Sequence, residues 1–119
     1  MNTRKTGAEK EAAACQYLAE RKVRIKERNF RCRQGEIDII GYDRGYLVFF
    51  EVKYRSAASS KGKAVEAVGT TKQQKICRVS DYYRMIHNIP SDTPVRYDVI
   101  AFEGDDIQWI QNAFDYCYR

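Results

Sequence analysis

Gly35-Glu36-Ile37-Asp38-Ile39-Ile40-Gly41-Tyr42, Asp43-Arg44-Gly45 and Tyr46-Leu47-Val48-Phe49-Phe50-Glu51-Val52-Lys53-Tyr54 form the stretch that decides the fold. It reads as two strands, Glu36–Tyr42 and Tyr46–Tyr54. The turn between them carries the Asp and Gly that hairpins favour. Glu36, Asp38, Glu51 and Lys53 sit at alternate positions among apolar residues. Side chains alternate along a strand. Glu36, Asp38 and Ile40 are therefore expected on one face, and Phe49, Glu51 and Lys53 on one face of the next strand. Pairing Tyr42 with Leu47 sets Asp38 opposite Glu51 and Glu36 opposite Lys53. Ile37, Ile39, Val48, Phe50 and Val52 are then expected to cover the other face.

Two carboxylates opposed on a sheet repel each other, and burial raises the pKa of at least one. A bound divalent cation reverses that balance. Magnesium takes oxygen ligands, often one or two carboxylates with waters and phosphate oxygens. Lys53 would then orient a water or neutralise charge developing at phosphorus. The competing reading is a structural one: Glu36 and Lys53 form a cross-strand ion pair, and Asp38 and Glu51 are solvated. The spacing leaves both readings open.

Upstream, Thr6-Gly7-Ala8-Glu9 matches a capping box, and a helix is expected over 7–21. Its stripe would be Ala8, Ala12, Cys15, Leu18 and Ala19. Glu11 falls on or beside that face, able to add a third carboxylate above the sheet. A further strand is expected over Val23–Arg31. Downstream, Arg55–Lys63 is polar and basic and reads as a loop. Val68, Ile76, Val79, Tyr83 and Ile86 give helical spacing up to about His87, where Ile89-Pro90 ends the helix. Strands follow at Arg96–Phe102 and Ile107–Ile110. The order of helix, three strands, helix and two strands predicts one α/β domain over residues 1–119, a mixed central β-sheet flanked by helices.

The chain has 119 residues, 44% hydrophobic and 31% charged, which is a globular composition. No apolar run approaches the roughly 20 residues that span a bilayer. No signal-peptide core follows Met1–Lys5, so a cytoplasmic protein without a membrane partner is expected. The four cysteines, Cys15, Cys32, Cys77 and Cys117, lack zinc-ligand spacing and are expected to be reduced. His87, the one histidine, is expected at a helix end. The net charge of +5 suits a polyanionic partner. Lys61, Lys63, Lys72, Lys75 and Arg78 are candidates for a phosphate path. Tyr54, Tyr82 and Tyr83 are candidates for base stacking, but the structural reading is the stronger one for these tyrosines, and Tyr83, on the apolar stripe, is expected in the core.

These residues together resemble the PD-(D/E)XK nuclease superfamily, whose restriction-endonuclease-like fold is shared with Holliday junction resolvases. The match is closer to its YraN-like branch of small bacterial proteins. Gly7, Glu11, Ala14 and Tyr17-Leu18 fit the branch's first helix, with Lys10 in place of a second Gly. Gly35-Glu36-Ile37-Asp38-Ile39-Ile40 and Phe49-Phe50-Glu51-Val52-Lys53-Tyr54-Arg55 fit its two strands. Lys72, followed by Gln73, fits its second helix. Arg96-Tyr97-Asp98-Val99 and Asn112-Ala113-Phe114 fit its end. Ile37 stands where the superfamily name has Pro.

The resemblance implies Asp38 and Glu51 as metal ligands, Lys53 as the catalytic lysine and Glu11 as a supporting carboxylate and ligand. It implies Arg55, Lys61, Lys63, Lys72 and Gln73 as nucleic-acid contacts. The implied cofactor is Mg²⁺ or Mn²⁺, and the implied partner is nucleic acid, with a homodimer as for the resolvases. The implied activity is endonucleolytic hydrolysis of phosphodiester bonds in DNA, including branched or repair intermediates. The alternative is a non-catalytic nucleic-acid-binding protein of the same fold within a repair or recombination complex.

Overall fold

A computed structural model describes residues 3–55 and 68–117. The elements are α1 (Thr3–Glu20), β1 (Arg24–Cys32), β2 (Gly35–Asp43), β3 (Tyr46–Arg55), α2 (Thr70–Ile86), β4 (Val95–Glu103) and β5 (Asp106–Phe114). The strands form one sheet in the order β1-β2-β3-β4-β5. Neighbours are antiparallel except β3 and β4, which are parallel. Parallel neighbours need a long crossover, and α2 lies in that connection. The result is the expected α/β fold, a mixed sheet flanked by helices, with the layout of a restriction-endonuclease-like domain. No helix among the described residues is long and apolar enough to cross a membrane.

Each helix covers one face. Ile76, Cys77, Val79 and Tyr83 of α2 pack on Phe30, Ile37, Ile40, Leu47, Phe49, Tyr97 and Val99. Ala14 and Leu18 of α1 pack on Ile39, Val48, Phe50, Val52, Ile100 and Phe102. Tyr83 is buried, as its place on the stripe predicts, and His87 caps the C-terminus of α2.

Several sequence expectations change. α1 is already helical at Thr3, so Thr6–Glu9 lies inside the helix and does not cap it. Its buried stripe is Ala14 and Leu18, with Glu11 and Cys15 half-buried, while Ala8, Ala12 and Ala19 are exposed. Alanine is as common on a solvated helix face as on a buried one, so an alanine-rich helix does not announce which side it buries. Ile86 is exposed, at the last turn of α2 where the sheet no longer lies beneath it. The four cysteines carry free thiols. The Cys117 backbone N–H donates to Cys77 Sγ at 3.1 Å, tying the C-terminal segment to α2. Burial pushes the Cys77 thiol up to about 11.

The hairpin register is the expected one, with Tyr42 opposite Leu47. It stops, however, at Ile39 opposite Phe50. The β1–β2 ladder pairs Arg28 with Ile39 and Phe30 with Ile37, but skips Asn29 and Asp38 between them. Asn29 has φ of 53°, a left-handed conformation that Asn tolerates better than most residues. Alternation breaks there, so Ile37 and Ile39 point to opposite faces. This corrects the expectation that Ile37 shares a face with Ile39, and it removes Glu36 from its place opposite Lys53.

Gly41 fits a second tight point. A Cβ there would lie 2.7 Å from the Arg24 carbonyl oxygen, beside the irregularity between Ile25 and Glu27. Backbone cannot yield as a flexible side chain does, so Gly41→Ala should destabilise the fold by about 1–3 kcal/mol. Urea unfolding would measure this, and an unchanged midpoint would refute the close approach.

Candidate metal and nucleic-acid site

Where the β2–β3 ladder ends, the two strands fork. The Asp38 carboxylate takes the vacated hydrogen-bonding position, accepting from the Val52 backbone N–H at 2.8 Å. Glu51, nearly fully buried, points to the α2 side with Leu47 and Phe49. Lys72, in the first turn of α2, reaches Glu51 Oε2 at 3.2 Å, and Lys53 stands 4.0 Å from the same oxygen. Lys72 is thus closer to Glu51 than Lys53 is. Among the described residues no lysine or arginine pairs with Asp38.

Glu11 and Glu36 meet on the α1 side of the fork. The Asn29 amide nitrogen, in the orientation that satisfies both neighbours, donates to Glu11 Oε1 at 2.9 Å and to Glu36 Oε2 at 3.1 Å. Glu36 also lies 3.5 Å from Arg31. Gly7, Ala8, Glu11, Asn29, Arg31 and Glu36 line an open groove of about 500 Å³. The cluster therefore straddles the sheet: Glu11 and Glu36 on the α1 side, Glu51 with its lysines on the α2 side, and Asp38 in the fork.

The electrostatics follow from this arrangement. Burial, and then the Glu51 charge, push the Asp38 carboxyl up to about 7; the Val52 N–H opposes this, and Glu11 and Glu36 add to it. Burial also raises Glu51, while Lys72 and Lys53 pull it back. The site holds more negative charge than its surroundings compensate at Asp38.

Among the described residues no three His, Cys, Asp or Glu side chains gather closely enough to cage a metal ion. The donor set that is present is a pair of hard oxygen ligands, Asp38 and Glu51. That fits Mg²⁺, which commonly keeps several waters and binds through one or two carboxylates plus phosphate oxygens. It does not fit an ion that needs a closed protein shell.

The other candidates are placed as follows. Gln73 donates through Nε2 to the Val68 carbonyl at 2.9 Å, which ties its amide to the entry of α2. Lys61 and Lys63 lie outside the described residues, as does the side chain of Arg55 and most of the loop expected over Arg55–Lys63. The approach of Lys72 to Glu51, and the pairing of Asn29 with Glu11 and Glu36, were not foreseen. The only signal for the second was an Asn in a strand, a residue type that strands disfavour.

A buried polar network lies on the α1 face, one rung from Glu51, since Phe50 pairs with Asp98 and Glu51 with Val99. Asp98 is fully buried. It accepts from Arg96 Nη2 at 2.8 Å, Trp109 Nε1 at 2.9 Å and the Asn112 backbone N–H at 2.9 Å. Arg96 also donates to Asp43 at 2.9 Å. Burial works against the Arg96 charge, but its bonds to Asp98 and Asp43 outweigh this and raise its pKa. The network ties β4 to β5 and, across β3, to β2.

Comparison with known proteins agrees with the family resemblance of the sequence. The model of the uncharacterised protein family UPF0102 matches residues 10–102. A UPF0102 protein of Lachnoclostridium phytofermentans is 44% identical over 115 residues, covering 97% of each chain. One of Aeromonas hydrophila is 46% identical over 105 residues, covering 87% of this chain and 80% of its own. One of Stutzerimonas stutzeri is 37% identical over 114 residues, covering 92% and 94%. On the extent of these matches, and on the ordered motifs that first suggested it, the chain belongs to the UPF0102 family, which is the YraN family.

Proposed function

We propose that the protein is a Mg²⁺-dependent endonuclease that hydrolyses phosphodiester bonds in DNA, branched or repair intermediates among them, acting as a homodimer. The observation that carries this is Asp38: a carboxylate set in a strand fork beside Glu51, with no cation of the described chain to pair it. A protein that used these groups only to hold its fold would leave that charge uncompensated at a cost in stability.

In this reading Asp38 and Glu51 hold the ion, and Glu11 supports them from the α1 side. The ion, when bound, supplies a water of lowered pKa and charge stabilisation at phosphorus. Lys53 orients the attacking water and stabilises charge on the non-bridging phosphate oxygens. The water oxygen would bond to phosphorus as the bond to the leaving deoxyribose oxygen breaks, and the proton lost by the water would end on that oxygen. Lys72, 3.2 Å from Glu51, would face the incoming phosphates. Arg55, Lys61, Lys63 and Gln73 extend the contact surface.

The second reading, a nucleic-acid-binding protein that cleaves nothing, is favoured by one specific observation. Glu51 already has two lysines, so half of the acidic pair is compensated without a metal. Calorimetric titration of Mg²⁺ and Mn²⁺ separates the two readings. The expected result is binding to the wild type that disappears in the Asp38→Ala, Glu51→Ala double variant. Equal heats from both proteins, with and without DNA, would rule out the nuclease and leave the binding protein.

A further inference from the structure

The exposed face of α2 beside the site carries a feature that metal chemistry does not use. Thr71, Lys75, Arg78, Tyr82 and Met85 are all exposed and follow the spacing of one helix face. Where this stripe meets the turn between β1 and β2, Gln34, Arg78, Asp81, Tyr82 and Met85 line a groove of about 310 Å³. The Tyr82 ring leans on buried Phe30, with centroids 6.3 Å apart and planes inclined by 33°. Tyr82 is nevertheless 36% exposed, and Met85 is 65% exposed. Contiguous exposed apolar surface of this kind marks an interaction site more often than isolated apolar residues do.

The charges around the groove select the partner. Its one acid, Asp81, accepts from the Tyr116 hydroxyl at 2.6 Å and lies 3.9 Å from Arg84. Among the described residues neither Lys75 nor Arg78 has a carboxylate in an ion pair. The groove therefore offers an anchored aromatic ring, an apolar wall and one cation, Arg78, with Lys75 on the exposed helix face about one turn before it. Aromatic rings stack on any base, and flanking cations track the backbone. Gln34 adds an amide that can bond to a base edge.

We propose that this groove is a subsite for one unpaired nucleotide. Its base stacks on Tyr82 against Met85, and Arg78 and Lys75 neutralise the adjoining phosphates. This rests on the nucleic-acid reading above and narrows its substrate. Lys72, which touches Glu51, and Tyr82 are ten residues apart on one helix, about 15 Å. A strand that fills both places extends over several nucleotides. A base held in a duplex stack cannot reach the ring, so DNA with a single-stranded arm is favoured over blunt duplex.

The test is fluorescence anisotropy with labelled oligothymidylate and with a blunt duplex of equal length, in EDTA so that no cleavage intervenes. Tyr82→Ala is expected to weaken oligothymidylate binding about 5- to 100-fold. Tyr82→Phe, which keeps the ring, should bind as the wild type, and duplex binding should not change in either. Arg78→Gln, at an exposed position, should weaken oligothymidylate binding and reduce its salt dependence, and it carries the test if Tyr82→Ala fails to fold. Undiminished binding by Tyr82→Ala or Arg78→Gln, or an equal loss for both DNAs, would overturn the subsite alone. A wild type that binds neither DNA would overturn the nucleic-acid reading with it.

Discussion

Asp98→Ala should destabilise the protein by about 3–5 kcal/mol and lower its thermal midpoint by about 12–20 °C. The reason is the number of donors that converge on one buried carboxylate. Without it, the Trp109 indole N–H and the Asn112 backbone N–H lose their acceptor, and Arg96 keeps only Asp43. An orphaned donor costs up to about 1–3 kcal/mol where water cannot reach it, less at these part-buried positions, and the half-paired guanidinium of Arg96 adds to it. Asn112 has φ of 54°, so the irregularity of β5 loses the bond that holds it. Trp109 is the sole tryptophan, and its emission reports directly on the network during urea unfolding. Adding Arg96→Met should recover part of the loss, because an uncharged pair leaves no buried charge unpaired. A loss below about 1 kcal/mol would mean that the network contributes little.

Asp38→Asn should have the opposite effect on the metal-free fold while removing the proposed activity. Asn keeps an acceptor for the Val52 N–H but carries no charge. The Asp38 pKa is raised from 3.8 to about 7 in the folded protein. Between those values the folded protein holds a proton that the unfolded chain has released. Stability is therefore greatest below the unfolded value and is lost as pH rises through the folded one. Without metal, the variant and the wild type should melt alike near pH 4. Above pH 7 the variant should melt higher. Saturating Mg²⁺ should raise the wild type's midpoint and leave the variant's in place. If the nuclease reading holds, cleavage by the variant should fall at least about 100-fold. A variant that melts below the wild type at pH 8 would show that Asp38 stabilises the fold, and a variant with wild-type cleavage would remove Asp38 from the chemistry.

Where a strand's neighbours are regular, its sequence was enough to place it. The turn at Asp43-Arg44-Gly45 and the apolar strands on either side fixed the Tyr42–Leu47 register by pattern and turn length alone. α2 was legible from its apolar spacing, α1 only as a helix whose buried face its alanines did not mark, and the order of elements gave the class of fold. Asp38, Glu51 and Lys53 stood out because ionisable groups interrupt runs that should be apolar.

The arrangement of those groups was decided elsewhere. Alternation assumes an unbroken pleat, and a left-handed Asn29 breaks it for β1 and β2 together. That turns Glu36 toward Glu11, frees Asp38 to bond to the β3 backbone and sends Ile37 to the α2 core. No local rule in either strand sets these outcomes, because the partner of each group comes from another element. Lys72 meets Glu51 only because the crossover helix starts above the fork, and Asp98 gathers donors from β4 and β5 only once the sheet is ordered. Local pattern was enough to say which residues carry charge into the sheet and which strands they ride on. The tertiary structure decided which charges meet, since burial and pairing depend on where the neighbouring backbone runs.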